Sequence, residues 1–453
     1  MDVEIINPWT GDCDYCYDYM AEPAVEALLA ASARGFADWS RRTLAERADA
    51  LRQVASGLRR ERESLAALMS AEMGKLRREG LAEIEKSASA CEYYAERAGD
   101  YLADTAVATE AHRSYVSYQP IGCVLAIMPW NFPVWQVFRF LAPALMAGNV
   151  ALLKHAITVP RCADAIARIV DAAGVPTGAF GVLHIDNEMA ARVIADTRIA
   201  AVSLTGSERA GRSVATTAGK HLKKCVLELG GSDAFIVLDD ADMDRAIAVA
   251  VASRFGNAGQ TCIAAKRFIV VKKALSAFTE RLLAATQGLV VGDPMHEATS
   301  LAPMARADLR HAVHAQVERS LAAGASALIG CRLPEHPCAY PASVLAGVAP
   351  GMPAWDEELF GPVASVITVA DDAEAVRVAN DTRFGLGASV WGEDRDRAEQ
   401  VGRQLQVGAV FVNALVRSDV RLPFGGTKQS GYGRELAEHG IREFVNIRSM
   451  WVE

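Results

Sequence analysis

Apolar residues recur at helical spacing from about Glu22 to Asp104, in a stretch rich in Ala, Leu, Arg and Glu, and predict several helices. The texture then changes. The segment RSYVSYQP (Arg113–Pro120) alternates polar and apolar positions, as a strand half exposed to solvent does. IGCVLAIMPW is almost continuously apolar and ends near a proline, the pattern of a strand buried on both faces of a parallel sheet. Strand and helix patterns then alternate: NVALLKH, the helix PRCADAIARIVDAAG closed by Gly174, GVLHID, the helix NEMAARVIADT, IAAVSLTG, and the helix SERAGRSVATTAGKHL. A second alternating region begins near Ser232 with DAFIVL and a helix from Asp242. It runs through KRFIVV, SVITVA, ASVWG and GAVFVN to about Asn413, and EFVNIRSMWVE reads as a terminal strand. Repeated strand–helix–strand units predict an α/β fold whose parallel sheets carry helices on both faces.

The 453 residues are enough for two or three domains rather than one core. The formal net charge of −8 leaves no cationic excess to displace counterions, so nucleic acid is not an expected partner. Nine cysteines are scattered without metal spacing. Cys13 and Cys16 have no second pair or histidine nearby, so no metal site is expected, and the odd, unpatterned number fits a reducing compartment. The start of the chain has neither a basic region nor an apolar signal core. The apolar stretch Val124–Leu153 is broken by Pro129, Asn131, Pro133, Arg139, Pro143 and Asn149, so it lacks the ~20 apolar residues of a membrane span. A soluble, cytoplasmic protein is expected.

Chemistry concentrates in five segments. FGNAGQTCIAAK sets Cys262 on a polar, glycine-rich turn, where small neighbours and a free backbone N–H suit a reactive thiol. CVLELGGSD places Glu228 in an apolar strand before Gly230 and Gly231. Such a glutamate is either a desolvated general base or half of a buried ion pair, and the glycines let a flat ligand approach the backbone. In MPWNFPVW, Asn131 lies between two prolines, either as a preorganised donor for an oxyanion or as a plain turn residue. VSLTGSERAGRSV places Gly206 and Ser207 at a strand-to-helix junction suited to a pyrophosphate, although the usual dinucleotide glycine fingerprint is absent and Ser207 is equally a helix cap. Lys154 ends the strand of ALLKHAITVP, where open α/β sheets bind ligands. Glu358 and Phe360 of DEELFGPV could hold ribose hydroxyls and one nicotinamide face, or form an acidic surface loop.

PWNFP, LELGGSD, GNAGQTC, EELFGP and PFGGTKQSGYGRE, in this order, resemble the aldehyde dehydrogenase superfamily over residues ~7–450. The resemblance implies Cys262 as nucleophile, Asn131 with the Cys262 N–H as oxyanion donors, and Glu228 as the base that activates the hydrolytic water. It implies cofactor contacts at Ile127, Pro129, Trp130, Lys154, Gly206 and Ser207, and at Leu229, Gly230, Glu358 and Phe360. It also implies a variant Rossmann cofactor domain (1–112 and 121–230, with 422–439 returning to it) and a catalytic domain (231–421). A small β oligomerisation element (113–120 and 440–453) would make a homodimer or homotetramer.

Within the superfamily, WNFPVWQVFRF, LLKHA and KKCVLELGGSD look most similar to bacterial short-type succinate-semialdehyde dehydrogenases. Trp135, Arg139, Ser418 and Arg421 are then the expected substrate contacts, since arginine would bind the carboxylate of a short aldehyde well. Two positions depart from animal-type relatives. Gly256 stands where they carry an arginine, and no second cysteine accompanies Cys262. Ile157 occupies the site three residues after Lys154 where strict NAD users often carry glutamate, so NAD is expected with NADP possible. An aromatic or medium-chain aldehyde is the alternative substrate, and a cysteine thioesterase or esterase the alternative class.

Overall fold

In the computed structural model, which describes residues 2–453, β1 (Asp2–Ile6) and β2 (Cys13–Asp18) form an antiparallel hairpin. The sequence reading did not anticipate it, because Cys, Tyr and Asp rather than aliphatic residues fill its second strand. Four helices follow: α1 (Glu22–Trp39), α2 (Leu44–Arg60), α3 (Arg62–Met73) and α4 (Arg77–Tyr101). Thr43 opens α2 with a capping box, accepting from the Glu46 N–H while the Glu46 carboxylate accepts from Thr43 N–H at 2.7 Å. Gly74 ends α3 at φ +75°, a left-handed conformation that glycine adopts without steric cost. That turn delivers Lys75 into the interior. There its ammonium pairs with Glu83 of α4 and donates to the Asn131 carbonyl at 2.7 Å.

After the short β3 (Thr105–Ala106) and β4 (Arg113–Pro120), the chain builds its first parallel sheet. The elements are β5 (Cys123–Met128), α5 (Trp135–Met146), β6 (Val150–His155), α6 (Pro160–Ala172), β7 (Phe180–Val182), α7 (Asn187–Ala195), β8 (Ile199–Thr205), α8 (Glu208–Lys220) and β9 (Lys224–Glu228). The strand order β9-β8-β5-β6-β7 turns back on itself at β5 and β8, and all these neighbours are parallel. Every residue of β6 is buried, which accounts for its unbroken apolar run. Helices on both faces make this the expected α/β architecture.

The second sheet contains β10 (Asp233–Val237), β11 (Ala265–Val271), β12 (Ser326–Ile329), β13 (Ser343–Ala346), β14 (Val363–Val369), β15 (Gly387–Trp391) and β16 (Ala409–Val412). Its order is β12-β13-β14-β11-β10-β15-β16, parallel except for the β12–β13 pair. Helix α9 (Met243–Phe255) connects β10 to the Cys262 loop, which leads into β11. The chain then returns to the first sheet: β17 (Gly431–Tyr432) adds antiparallel to β9, setting Gly431 opposite Glu228. Finally β18 (Val445–Val452) pairs antiparallel along the whole of β4, leaving Ile447 and Trp451 exposed. The two sheets carry separate hydrophobic cores, and the chemistry-bearing loops lie where they meet. Among the described residues no helix is long and apolar enough to cross a membrane.

The Lys75–Glu83 pair is almost wholly shielded from solvent, so removing one charge strands the other. Lys75→Met should cost about 3–5 kcal/mol of stability, seen as a lower urea unfolding midpoint. An unchanged midpoint would show that the pair does not hold this part of the fold together.

Candidate active site

The loop after α9 is bent hard. Asn257, Ala258 and Gly259 all have positive φ, at 51°, 53° and 70°. For asparagine and alanine this conformation costs of order 1–3 kcal/mol each, so neighbouring groups must impose it. Glu79 of α4 accepts from the Asn257 N–H at 3.0 Å, the Asn257 carboxamide donates to the Asn131 carbonyl at 2.9 Å, and Arg254 donates to the Gly259 carbonyl at 2.6 Å. Gln260 Oε1 accepts from the Ala305 N–H at 2.9 Å. Lys266 Nζ donates to the carbonyls of Thr261 and Cys262 at 2.9 and 2.7 Å. The loop is therefore tied from both sides, yet the Cys262 N–H meets no acceptor among the described residues.

Cys262 is half-buried and lines a cavity of about 340 Å³ whose walls include Phe132, Trp135, Arg139, Ser418 and Phe424. Burial pushes its thiol up to about 11, while the positive charges of Arg139 and Lys266 favour the thiolate. Asn131 follows β5 and is fixed by its own hydrogen bonds: Nδ2 donates to the Gln260 carbonyl at 2.9 Å and Oδ1 accepts from Gln136 Nε2 at 3.2 Å. One Nδ2 hydrogen is left over. Glu228 ends β9 at 2% exposure, with neither carboxylate oxygen hydrogen-bonded. Burial, then repulsion from Glu435, holds its carboxyl well above the usual range, against the pull of Arg139 and Arg434. Gly425 leaves room for it, since a Cβ there would sit 2.7 Å from Glu228 Oε1.

A second cleft opens at the C-terminal ends of β5, β6 and β8. Ile127, Lys154, Leu204, Ser207 and Arg209 line it, and no aspartate or glutamate is among its lining residues. The Lys154 ammonium is buried at a strand end and has no hydrogen-bond or ion-pair partner among the described residues. Burial lowers its pKa. An orphaned cation there fits a ligand bearing hydroxyls or phosphates. Ser207 caps α8 by accepting from the Ala210 N–H at 3.3 Å, so the helix N-terminus faces the same cleft. Toward Cys262, Trp130 and Phe360 meet edge to face with centroids 5.9 Å apart. Glu358 lies against the Gly230–Gly231 turn, accepting from the Gly231 N–H at 3.1 Å and pairing with Lys266 at 3.3 Å. A Cβ at Gly230 would lie 2.4 Å from Glu358 Oε2, and one at Gly231 2.7 Å from the Cys262 carbonyl oxygen. These residues fit a flat dinucleotide passing between the two sheets.

The model of the aldehyde dehydrogenase family matches residues 1–450. The chain belongs to the aldehyde dehydrogenase family. A probable succinate-semialdehyde dehydrogenase (NADP+) of Synechocystis sp. is 48% identical over 453 residues, covering 100% of both chains. A succinate semialdehyde dehydrogenase (NAD(P)+) of Escherichia coli is 47% identical over 98% of this chain and 97% of its own. Among solved structures, succinic semialdehyde dehydrogenase from Streptococcus pyogenes in complex with NADP+ superposes with a TM-score of 0.97 at 39% identity, covering 99% of each chain.

The structure of this aldehyde dehydrogenase brings Trp135, Arg139 and Ser418 to the Cys262 cavity, as expected from sequence, but not Arg421. The Arg421 side chain is 69% exposed and chelates Asp419 through two bonds of 2.8 and 2.7 Å. Arg139 faces the cavity with its charge already committed: it pairs with Glu435, donates to Thr205 Oγ1 at 3.2 Å and lies over the Phe424 ring. Sequence reasoning missed Glu79, Glu83 and Lys86, which project inward from α4 at spacings of four and three. That spacing was visible, but charged residues on a helix rich in Ala, Glu and Arg look the same when they face solvent.

The raised Cys262 pKa predicts slow alkylation of the unliganded enzyme at neutral pH. The iodoacetamide rate at Cys262, followed by mass spectrometry, should climb about tenfold per pH unit between about pH 7 and 9 as the thiolate fraction grows. A plateau by about pH 8 would contradict the burial argument.

Proposed function

We propose that this enzyme oxidises succinate semialdehyde to succinate, using NADP+ or NAD+, as a homodimer or homotetramer. The observation that carries the chemistry is that Cys262, with its free N–H, and Trp135, Arg139 and Ser418 face one cavity, while the fixed Asn131 carboxamide adjoins the loop bearing Cys262. The substrate reading is supported by the full-length relatives at 48 and 47% identity, which carry that activity in their names. The sequence led us to expect NAD with NADP possible. The same relatives are named for NADP+ and NAD(P)+, and no carboxylate lines the Lys154 cleft to repel a 2′-phosphate.

In this reading Arg139 and Lys266 favour loss of the Cys262 proton, and the thiolate sulfur bonds to the aldehyde carbon. The carbonyl oxygen becomes an oxyanion, received by the remaining Asn131 Nδ2 hydrogen and the Cys262 N–H. The hydride acceptor that oxidation requires is the chemistry a bound nicotinamide would supply. Glu228, a stronger base than an ordinary glutamate because burial raises its proton affinity, takes a proton from the water that attacks the Cys262 thioester. The carbon–sulfur bond then breaks, freeing the acid and restoring the thiolate. Lys154, Ser207, Glu358 and Phe360, with the backbone at Gly230, would hold the cofactor in the cleft.

A panel assayed by reduced-nucleotide absorbance tests this reading. Succinate semialdehyde should exceed hexanal and benzaldehyde in kcat/KM by about tenfold or more, and a tenfold advantage for either rival would replace the substrate. Cys262→Ala should lose about 10⁴-fold or more in kcat. Glu228→Gln should give a burst of about one reduced nucleotide per subunit followed by turnover about 10²–10⁴ slower. Ester hydrolysis without any nucleotide dependence would point to the thioesterase class instead.

A further inference from the structure

Among the described residues, which include all nine cysteines, only Cys13 and Cys16 are exposed, and their sulfurs touch at 3.2 Å. Residues three apart in a regular strand point to opposite faces of the sheet. A bulge lets β2 escape that rule. Tyr15 pairs with Ile5 and Cys13 with Ile6, which leaves Asp14 as the extra residue between them. Cys16, opposite Glu4, and Cys13, opposite Ile6, therefore share the outer face of the hairpin with Asp18.

The inner face holds this arrangement in place. Ile5 is buried, and Tyr15 lies beneath the Arg161 guanidinium at 5.5 Å. The Tyr17 hydroxyl donates to the Ile157 carbonyl at 3.1 Å, and its ring packs against His184 with centroids 5.2 Å apart. Just beyond the strand, the Met20 N–H donates to the His184 carbonyl at 2.8 Å. The strand that carries the two thiols is thus fastened to the β6–α6 connection, to α6 and to the segment after β7. The thiols keep their register without any bond between them. Within the bulge, the Cys13 thiol also donates to the Tyr15 carbonyl at 3.6 Å.

We propose that Cys13 and Cys16 form a modification site that closes to a reversible disulfide by exchange with small cationic disulfides. Neither cysteine lines the Cys262 cavity or the Lys154 cleft, so the site stands outside the catalytic machinery. The thiolate of one cysteine attacks a sulfur of the reagent. The reagent's S–S bond breaks, and one half leaves as a thiol carrying the proton that the cysteine gave up. The second thiolate then attacks the protein sulfur of this mixed disulfide, forming the Cys13–Cys16 bond and expelling the other half as a second thiol. The protein loses two hydrogens with their electrons, and the reagent gains both. The second step is fast because it joins sulfurs already in contact on a fastened strand. Charge sets the class of reagent. Glu4 and Asp18 share the face of the sulfurs, Asp14 fills the bulge, Asp12 precedes Cys13, and no lysine or arginine occurs between residues 2 and 18. Such a face draws a dicationic disulfide such as cystamine and repels the dianionic glutathione disulfide.

The test treats the reduced full-length protein with cystamine and maps its peptides by mass spectrometry. The tryptic peptide ending at Arg34 carries both cysteines. It should lose about 2 Da, the mass of the two hydrogens, and regain them with dithiothreitol, while Cys262 stays unmodified. Cys13→Ser and Cys16→Ser should each stop at a mixed disulfide, which the wild type should hold at a level about tenfold or more lower. At low ionic strength cystamine should outpace glutathione disulfide by about 3–10-fold more than it does on free cysteine. Glu4→Gln, or salt at about 0.5 M, should shrink that advantage. A mixed disulfide that accumulates in the wild type as it does in the serine variants would show two independent surface thiols and overturn the proposal. So would modification of Cys262 ahead of the pair. Equal preference for the two reagents would overturn the assigned class. Mapping of the wild type alone decides the disulfide should a serine variant fail to fold.

Discussion

The buried Lys75–Glu83 ion pair fixes the rest of the site. Two charges held away from water are tolerable only when their remaining hydrogen-bonding capacity is also met. Here it is met by groups that the chemistry needs in place. Lys75 donates to the Asn131 carbonyl, and Glu83 accepts from the first two N–H groups at the start of α5. The position of Asn131, the proposed oxyanion donor, and the direction of the helix behind it therefore follow from one pair of side chains. The Asn131 carbonyl also accepts from Asn257, while its carboxamide donates to Gln260, so the same backbone unit anchors the strained turn before Cys262. Positive φ at Asn257 and Ala258 is held in place by these bonds.

A second constraint is electrostatic. Glu228 and Glu435 are both buried and repel each other, and Arg139 is the cation nearest to balancing them. Arg139 is paired directly with Glu435, and Arg434 and Arg139 act on Glu228 only through charge, so Glu228 is left with oxygens that have no hydrogen-bond donor. A carboxyl left in that state holds a proton more tightly than an ordinary glutamate, which suits the role of base proposed for it. Moving Arg139 onto a substrate carboxylate would release Glu435 and change the proton affinity next to the nucleophile. Its commitment to Glu435 keeps those two tasks separate.

Much of this was legible in the chain. The apolar runs at Cys123–Met128 and Val150–His155 declared buried parallel strands, and PWNFP, LELGGSD and GNAGQTC declared the residues placed around the site. Those motifs are readable because their unusual features are local: an asparagine between prolines, a glutamate in an apolar strand, a thiol among glycines. The α4 residues were not readable. Apart from the Lys75–Glu83 pair, Glu79, Glu83 and Lys86 act through partners that lie between 51 and 332 positions away in sequence, and nothing local separates an inward charged stripe from a solvated one. Arg421 failed for a related reason. Proximity to the PFGG loop suggested it, but Asp419 two residues earlier captures its guanidinium.

These misreadings share a cause. An arginine in the right stretch of sequence has its charge free only if no protein carboxylate reaches it first: Arg139 pairs with Glu435 and Arg421 with Asp419, whereas Arg417, which lines the cavity, meets Asp419 only at 3.9 Å. A lysine meets the opposite condition when the acids nearest to it are engaged elsewhere, as Glu83 is by Lys75 and Asp419 by Arg421. The arginine at 421 thus bears on the charge of the cavity without lining it, because it engages Asp419, the acid of the 417–419 segment. The charge a cavity presents is thus a property of the whole set of pairings and cannot be read from residue type alone.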